Sequence, residues 1–251
     1  MARVKTQAAR AKPDGVLDTV KTVLYAGLIA IGIRTIAFEP FNIPSGSMMS
    51  TLLVGDYLFV SKFSYGYSHF SLPLAPNLFQ GRIFGSLPTR GDVAVFRNPK
   101  KVDEDYIKRI VGLPGDRIQM RGGRLYINGT LCSTQPEGDY TDEDAHLIVR
   151  QYRETLPNGV QHDILKQTDE GQQNNTPEFR VPENHVFAMG DNRDNSLDSR
   201  FMDKGIGFVP TENLIGRAEV LFFSVNAQRP WYEVWEWPFE IRWTRLLKIV
   251  R

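Results

Sequence analysis

The sequence has little cysteine and little net charge, and each shortage excludes a class of protein. Cys132 is the one cysteine among 251 residues, so an intramolecular disulfide framework and a CxxC metal or redox site are both excluded. The formal net charge is only +1, which provides no basic field and predicts no nucleic-acid partner. With 41% hydrophobic and 24% charged residues, the composition is that of an ordinary folded protein.

Long hydrophobic runs are also scarce, and one that carries no charge, from Thr22 to Ile33, follows a basic N-terminus. If Arg34 snorkels, the run extends to Phe38 and measures about 25 Å, slightly short of a hydrocarbon core of about 30 Å. A cleaved secretory signal is disfavoured because no A-x-A pattern follows. We therefore predict a basic cytoplasmic segment over 1–21 and a transmembrane anchor over 22–38, with the remainder on the far side.

No long amphipathic helix is evident between residues 40 and 240, where short pieces rich in Val, Ile, Phe and Tyr dominate. We predict a mostly β fold, with a catalytic β domain over 39–132 and 181–226. Residues 133–180 are polar and lack apolar periodicity, so we expect either a smaller inserted α+β subdomain or long loops attached to the β core. Gly122-Gly123 and Asn128-Gly129 predict two hairpin turns. Strands are predicted at 56–63, 91–99, 106–120, 123–132, 185–192 and 216–225.

All four tryptophans lie between Trp231 and Trp243, and this residue type favours a membrane–water interface. We therefore predict an aromatic and basic membrane-proximal tail over 227–251. If residues 242–251 are helical, most apolar side chains face away from the basic ones, as in an interfacial helix. A cap packed on the core is the alternative, and both stay open.

The stretch PSGSMMS, residues 44–50, places a glycine between two serines just before a predicted strand. Peptide hydrolysis by a hydroxyl needs a nucleophile, a base and donors for the oxyanion. Gly46 permits a tight turn, Ser47 would present its hydroxyl, and the Ser47 N–H with the Ser45 hydroxyl would face the oxyanion. Since Ser-Gly-Ser is common in loops, the motif predicts catalysis only together with a base.

Lys108 is the base that the strand pattern favours. Alternation places Tyr106 and Lys108 on one face of the strand and Ile107 and Arg109 on the other. Burial disfavours the ammonium, and lowering its pKa from about 10.4 to about 7–8 costs about 4 kcal/mol, which buried lysines achieve. A serine hydroxyl is a suitable partner for such a lysine, whereas a carboxylate would favour the charged form.

Histidine is the usual base, and the sequence contains four. His69, His146 and His162 lie in loop-like or polar stretches. His185 precedes a strand close to two aspartates, so a Ser-His-Asp arrangement stays open, although the lysine hypothesis is the stronger one.

The stretch MGDNRDNSLDSR, residues 189–200, is dense in Asp and Asn, which suggests calcium. A calcium loop started at Asp191 puts Arg193 where an oxygen ligand belongs. A loop started at Asp194 puts Ser199 where glycine is required. We therefore predict no metal site, and no other feature of the sequence predicts a cofactor.

Four motifs stand in order after the apolar segment: PSGSMMSTLLVGDYLFVSKFSYG, RGDVAVFRNP, YIKRIVGLPGD and MGDNRDNSLDSR. Together they resemble bacterial type I (leader) signal peptidases, which are Ser/Lys serine endopeptidases. The resemblance covers about 39–128 and 183–225. It implies a single-pass enzyme of the bacterial inner membrane, with a periplasmic catalytic domain, that contacts lipid and removes signal peptides of exported preproteins after small residues (A-x-A).

Position by position, the resemblance implies that Ser47 is the nucleophile and Lys108 the general base. Ser45 and the Ser47 N–H would form the oxyanion hole, and Ser196 would orient the lysine. Structural support would come from Asp198, Arg200 and Arg90. The substrate pockets would be lined by Phe41, Ile43, Met48, Leu52, Leu58, Val95, Tyr106 and Ile107.

One departure from the family pattern is Ser50, which stands where proline is usual, and we expect a looser turn there. A different hypothesis is a membrane-tethered β domain that binds exported chains without cutting them. Replacing Ser47 by alanine separates the two hypotheses, because a binder would keep its function. The sequence predicts no oligomeric state.

Overall fold

The computed structural model describes residues 15–72, 75–76, 78–142, 147–226 and 240–251. It begins with helix α1, Val16–Ile36, in which no residue is buried. These 21 residues measure about 32 Å, and their mean hydropathy of 1.7 makes the helix long and apolar enough to cross a membrane. The helix begins and ends earlier than the predicted 22–38. The basic residues before position 15 lie outside the described residues.

The described chain continues mainly as strands, which confirms the mostly β prediction. The strands are β1 Phe38–Asn42, β2 Asp56–Ser61, β3 Val93–Arg97, β4 Asp105–Gly112, β5 Arg117–Arg121, β6 Arg124–Ile127, β7 Thr130–Leu131, β8 Ser133–Asp142, β9 Leu147–Thr155, β10 Gln161–Lys166, β11 Phe179–Arg180, β12 His185–Met189, β13 Val209–Pro210 and β14 Leu214–Ser224. Short 3-10 turns lie at Gly46–Met48, His69–Ser71, Thr211–Asn213 and Trp243–Arg245.

A seven-stranded sheet carries the candidate site, in the order β1-β2-β14-β3-β4-β12-β13 with antiparallel neighbours. Its central strand β3, VAVFR, is buried on both faces, as its continuous apolar run requires. A smaller sheet, β11-β5-β6-β7, contains the two predicted hairpin turns, whose residues all have positive φ.

The insertion differs from its prediction. Its described part forms the three-stranded sheet β10-β9-β8 and strand β11, with no helix, so the expected α+β character is wrong. Its buried side chains are partly apolar, namely Val149, Ile164 and Leu165, and partly polar, namely Glu154, His162 and Lys166. Because the polar side chains interrupt the apolar alternation, the sequence pattern does not reveal these strands.

The C-terminal residues 240–251 run antiparallel along β14, with bridges between Val225 and Ile241 and between Val220 and Ile249. Since β3 pairs only with Leu214 to Arg217, the later part of β14 has a free edge that this segment occupies. The possible helix over 242–251 is therefore reduced to a single 3-10 turn. Three of the four tryptophans, within 227–239, lie outside the described residues.

Candidate active site

The nucleophile candidate Ser47 sits in the 3-10 turn that follows β1. The next residue, Met48, is fully buried in the core beside Ile43 and Leu52, which anchors the turn to the sheet. Ser50 has φ of 88°, which proline cannot adopt, and its Oγ donates to the carbonyl of Asp163 at 2.9 Å. The turn is thus tied to the inserted sheet rather than loosened.

Strand β4 brings Lys108 to this turn. Its Nζ donates to Ser47 Oγ at 2.6 Å and to the carbonyl of Ile107 at 3.0 Å. Lys108 is 4% exposed and Ser47 is 8% exposed, so the pair is largely removed from water. The neighbouring Arg109 points to the opposite face, as the strand alternation predicts, where it binds Asp191.

Burial lowers the pKa of Lys108 to about 8, while the more distant carboxylates Asp198 and Asp191 act in the opposite direction. Among the described residues, no carboxylate accepts a hydrogen bond from this ammonium. At pH 7 about one molecule in ten therefore carries a neutral Lys108, against roughly one in 3,000 for an unperturbed lysine. The hydroxyl of Ser47 thus faces a group that can accept its proton.

Ser45 lies beside the pair, with its Oγ 3.3 Å from Ser47 Oγ. Ser196 is buried nearby but makes no hydrogen bond of normal geometry to Lys108 or to any other described residue. Ser47 and Ser196 can pack this closely because residue 190 is a glycine. A Cβ at this position would collide with Ser196 Oγ and lie 2.5 Å from the carbonyl oxygen of Ser47.

Asp198 and Arg200 form a buried pair next to the site. Arg200 donates through Nε to Asp198 Oδ1 at 2.9 Å and through Nη2 to Oδ2 at 2.8 Å, and the Gly190 N–H donates to Oδ2 at 3.0 Å. Although burial alone would raise it, these donors hold the pKa of Asp198 below its ordinary value. Arg90 lies at the other end of β4, where it binds Asp116 at 2.9 Å.

The predicted pocket residues fall into two groups. Tyr106 lies on the same face of β4 as Lys108, with its ring centroid 5.4 Å from Lys108 Nζ, and packs on the apolar cluster that contains Ile110. The other seven belong to or pack on one apolar cluster beneath the nucleophile turn, and all but half-buried Phe41 are buried. They are Phe41, Ile43, Met48, Leu52, Leu58, Val95 and Ile107.

Sequence reasoning missed the residues that hold the nucleophile turn from outside. The backbone N–H of Asn192 donates to the Ser47 carbonyl, and its Nδ2 donates to the Gly46 carbonyl, both at 3.1 Å. Thr51 donates to Asp191 at 2.6 Å, and Asp191 is in turn bound by Arg109. The signal in the sequence is the density of Asp and Asn in 189–200, because these short polar side chains bind neighbouring backbone groups.

The Ser-His-Asp arrangement is not formed among the described residues. His185 Nδ1 lies 2.8 Å from the carbonyl of Glu183, His69 lies 3.4 Å from Glu212, and His162 is buried beside Glu154. The fourth histidine, within 143–146, lies outside the described residues. Lys108 is therefore the described group that is placed to act as a base toward Ser47.

The family described as signal peptidase, peptidase S26, matches residues 16–223 of this chain. The chain belongs to the signal peptidase family. A signal peptidase I of Rickettsia akari is 44% identical over 206 residues, which cover 79% of this chain and 76% of the relative. That of Rickettsia canadensis is 42% identical over 214 residues, with coverages of 82% and 79%.

Among solved structures, a signal peptidase I from Enterococcus faecalis shares 29% sequence identity. The match covers 53% of this chain and 97% of that chain, with a TM-score of 0.32. As a member of the signal peptidase family, the chain is a serine peptidase, which confirms the resemblance of the four sequence motifs.

Proposed function

We propose that this enzyme removes N-terminal signal peptides from exported preproteins, with Ser47 as the nucleophile and Lys108 as the general base. The observation that carries the proposal is the 2.6 Å contact between Ser47 Oγ and the buried Nζ of Lys108. The relatives named signal peptidase I support the class of substrate.

In the first half of the reaction, neutral Lys108 takes the proton of Ser47 as Oγ attacks the scissile carbonyl carbon. The Ser45 hydroxyl and the Ser47 N–H donate to the developing oxyanion. The C–N bond then breaks, and the Lys108 ammonium returns its proton to the departing amine. The signal peptide is left as an ester on Ser47.

In the second half, neutral Lys108 takes a proton from water, and the hydroxide adds to the ester carbonyl. Collapse of this intermediate breaks the bond to Ser47 Oγ, which regains its proton from Lys108. The signal peptide leaves with a new carboxyl group, and the dyad returns to its starting protonation state.

An open edge of β4 offers a place for the substrate. Among the described strands, β12 pairs with β4 only between Arg109 and Gly112, so no described strand pairs with residues 105–108 on the side away from β3. An extended peptide can add there as a further strand. Its side chains on one face would meet the already filled apolar cluster, which supports a requirement for residues as small as alanine.

Helix α1 supports attachment to the inner membrane, and its junction with the sheet is braced. Glu39 binds Arg34 at the end of the helix and Lys62 at the end of β2, both at 2.9 Å. Tyr67 donates to the carbonyl of Ile36 at 2.6 Å. A basic cytoplasmic N-terminus would place the β domain on the periplasmic face, close to lipid.

The test is cleavage of a purified preprotein with an A-x-A site in detergent micelles, with folding followed by circular dichroism. Wild type should cut after the second alanine. Ser47→Ala and Lys108→Met should fold and lose at least about 1,000-fold in rate. Lys166→Met is the matched control, because Lys166 is also buried but binds the carbonyl of Gly123 and Asp169 instead.

A folded Lys108→Met variant that cleaves at the wild-type rate would exclude the proposed mechanism. If wild type binds the signal peptide without cutting it, the chain is a tethered binder. A second preprotein, with leucine replacing either alanine, should not be cut, and efficient cleavage of it would exclude the A-x-A preference.

A further inference from the structure

The inserted sheet reaches the back of the active site through Glu154 on β9. Glu154 and Arg193 are fully buried, at 0% and 1% exposure, and Arg193 donates to both carboxylate oxygens, through Nη1 at 2.8 Å and Nη2 at 2.5 Å. Although burial opposes it, the Arg193 cation holds the pKa of Glu154 well below its usual range. The carboxylate is therefore a permanent anion in a dry, bidentate ion pair.

Arg193 belongs to the segment that carries the groups around Lys108. Its carbonyl accepts from Nη2 of Arg200 at 2.5 Å, and Arg200 clamps Asp198. Its backbone N–H donates to Leu165 of β10 at 2.9 Å, which joins the segment to the inserted sheet. The residue before it, Asn192, holds the Ser47 carbonyl.

The buried cations and anions around Glu154 are equal in number. His162 Nε2 lies 3.3 Å from Glu154 and 3.9 Å from Asp191. Burial lowers the pKa of His162, which favours its neutral form. Arg109 and Arg193 then balance Asp191 and Glu154, so loss of the Glu154 charge leaves the Arg193 guanidinium buried without a counter-ion.

We infer that Glu154 is a positioning residue for the peptidase reaction, which holds residues 190–198 against Ser47 and Lys108 through Arg193. The inference rests on the proposed function of Ser47 and Lys108. Through Glu154, the inserted sheet would help to set the catalytic rate, although Glu154 does not contact the substrate. A purely structural role would change stability alone.

The experiment compares Glu154→Gln, Glu154→Asp and Glu137→Gln in the full chain, with kcat, KM and the unfolding midpoint measured for each. Glu137 is the control, because it lies on the same sheet in an exposed pair with Arg153. Misplacement of a reacting group by about 1 Å costs about 100-fold. We expect kcat of Glu154→Gln to fall about tenfold to 100-fold with KM within about twofold, and Glu137→Gln to match wild type.

Glu154→Asp keeps the charge but shortens the reach, so its kcat should lie between those of wild type and Glu154→Gln. If Glu154→Gln is unfolded, the double variant Glu154→Gln/Arg193→Met removes both buried charges. Low kcat in this folded double variant supports the inference, and wild-type kcat overturns it. If wild type cleaves the preprotein and Glu154→Gln has the same kcat, the inference about Glu154 is wrong and the proposed function stands.

Discussion

Two buried lysines in this fold differ in their partners rather than in their burial. Lys62 is 1% exposed and Lys108 is 4% exposed. Lys62 Nζ binds the Glu39 carboxylate at 2.9 Å and the Ser71 carbonyl at 2.5 Å. Lys108 has a hydroxyl and a carbonyl as its partners. The two lysines therefore share their burial, whereas Lys108 has a hydroxyl as a partner and Lys62 has a carboxylate.

Apart from replacement of Ser47 or Lys108 themselves, the largest effect should follow from disturbing the packing that keeps Lys108 against Ser47. Gly190→Ala adds a methyl group that must displace Ser196 or the Ser47 carbonyl, so cleavage should fall at least about 100-fold. Gly27→Ala is the control, since nothing lies within 4 Å of its added methyl. Full activity of Gly190→Ala would show that the contact between Ser47 and Lys108 tolerates displacement.

The pH dependence of cleavage tests the protonation state of Lys108. Because its pKa is lowered to about 8, kcat/KM should rise about tenfold per pH unit below pH 8 and level off above it. The profile should be measured from pH 6 to 9 on one preprotein. A rate that is constant over this range would contradict the lysine base, as would one still rising steeply at pH 9.

The two lysines should affect stability in opposite directions. The pKa of Lys108 is about 8 in the folded protein and 10.5 in the unfolded chain, and this difference lowers the free energy of unfolding by about 3 kcal/mol. This cost is fully present below pH 8 and is relieved as pH rises to 10.5, because the unfolded chain alone holds the proton in that window. At pH 7 Lys108→Met should therefore raise the free energy of unfolding, by up to about 3 kcal/mol.

Lys62→Met should instead lower the free energy of unfolding by about 1–3 kcal/mol, since the Ser71 carbonyl and Glu39 lose a donor. Denaturant unfolding at pH 7 in the same detergent measures both variants. Shifts of the same sign would break the contrast between the two sites.

The smallest effect is expected at Lys101, which binds Glu104 at 3.0 Å on the surface. Water already solvates both charges there, so Lys101→Met should leave cleavage and the unfolding midpoint unchanged within error. A clear loss of either would show that a carboxylate contact stabilises this fold even without burial.

Helix α1 and the main strands could be predicted because their apolar patterns are local. The inserted sheet could not, because polar residues interrupt its buried apolar positions: Glu154 is one of them, and its partner Arg193 lies 39 residues along the chain. The path of residues 240–251 was also beyond prediction. It depends on where β3 stops pairing with β14, which is a property of the assembled sheet.

Ser47 and Lys108 could be predicted from a serine turn, a strand pattern and a family resemblance, although 61 residues separate them. The ion pair between Arg109 and Asp191 could not be predicted, because 82 residues separate them and each has several possible partners. The catalytic roles of Ser47 and Lys108 stay predictions, as do the roles of Ser45, Ser196, Asp198, Arg200, Arg90 and the pocket residues.

The alternation of β4 makes strand register a catalytic property. Lys108 faces Ser47 only while Ala94 pairs with Lys108 and Val93 with Arg109 across β3 and β4. A slip by one residue would present a guanidinium to the nucleophile, and arginine does not deprotonate in proteins. An insertion within β4 itself, immediately before Lys108, would thus turn the lysine away from Ser47, whereas the connection over 98–104 can absorb an extra residue without a change of register.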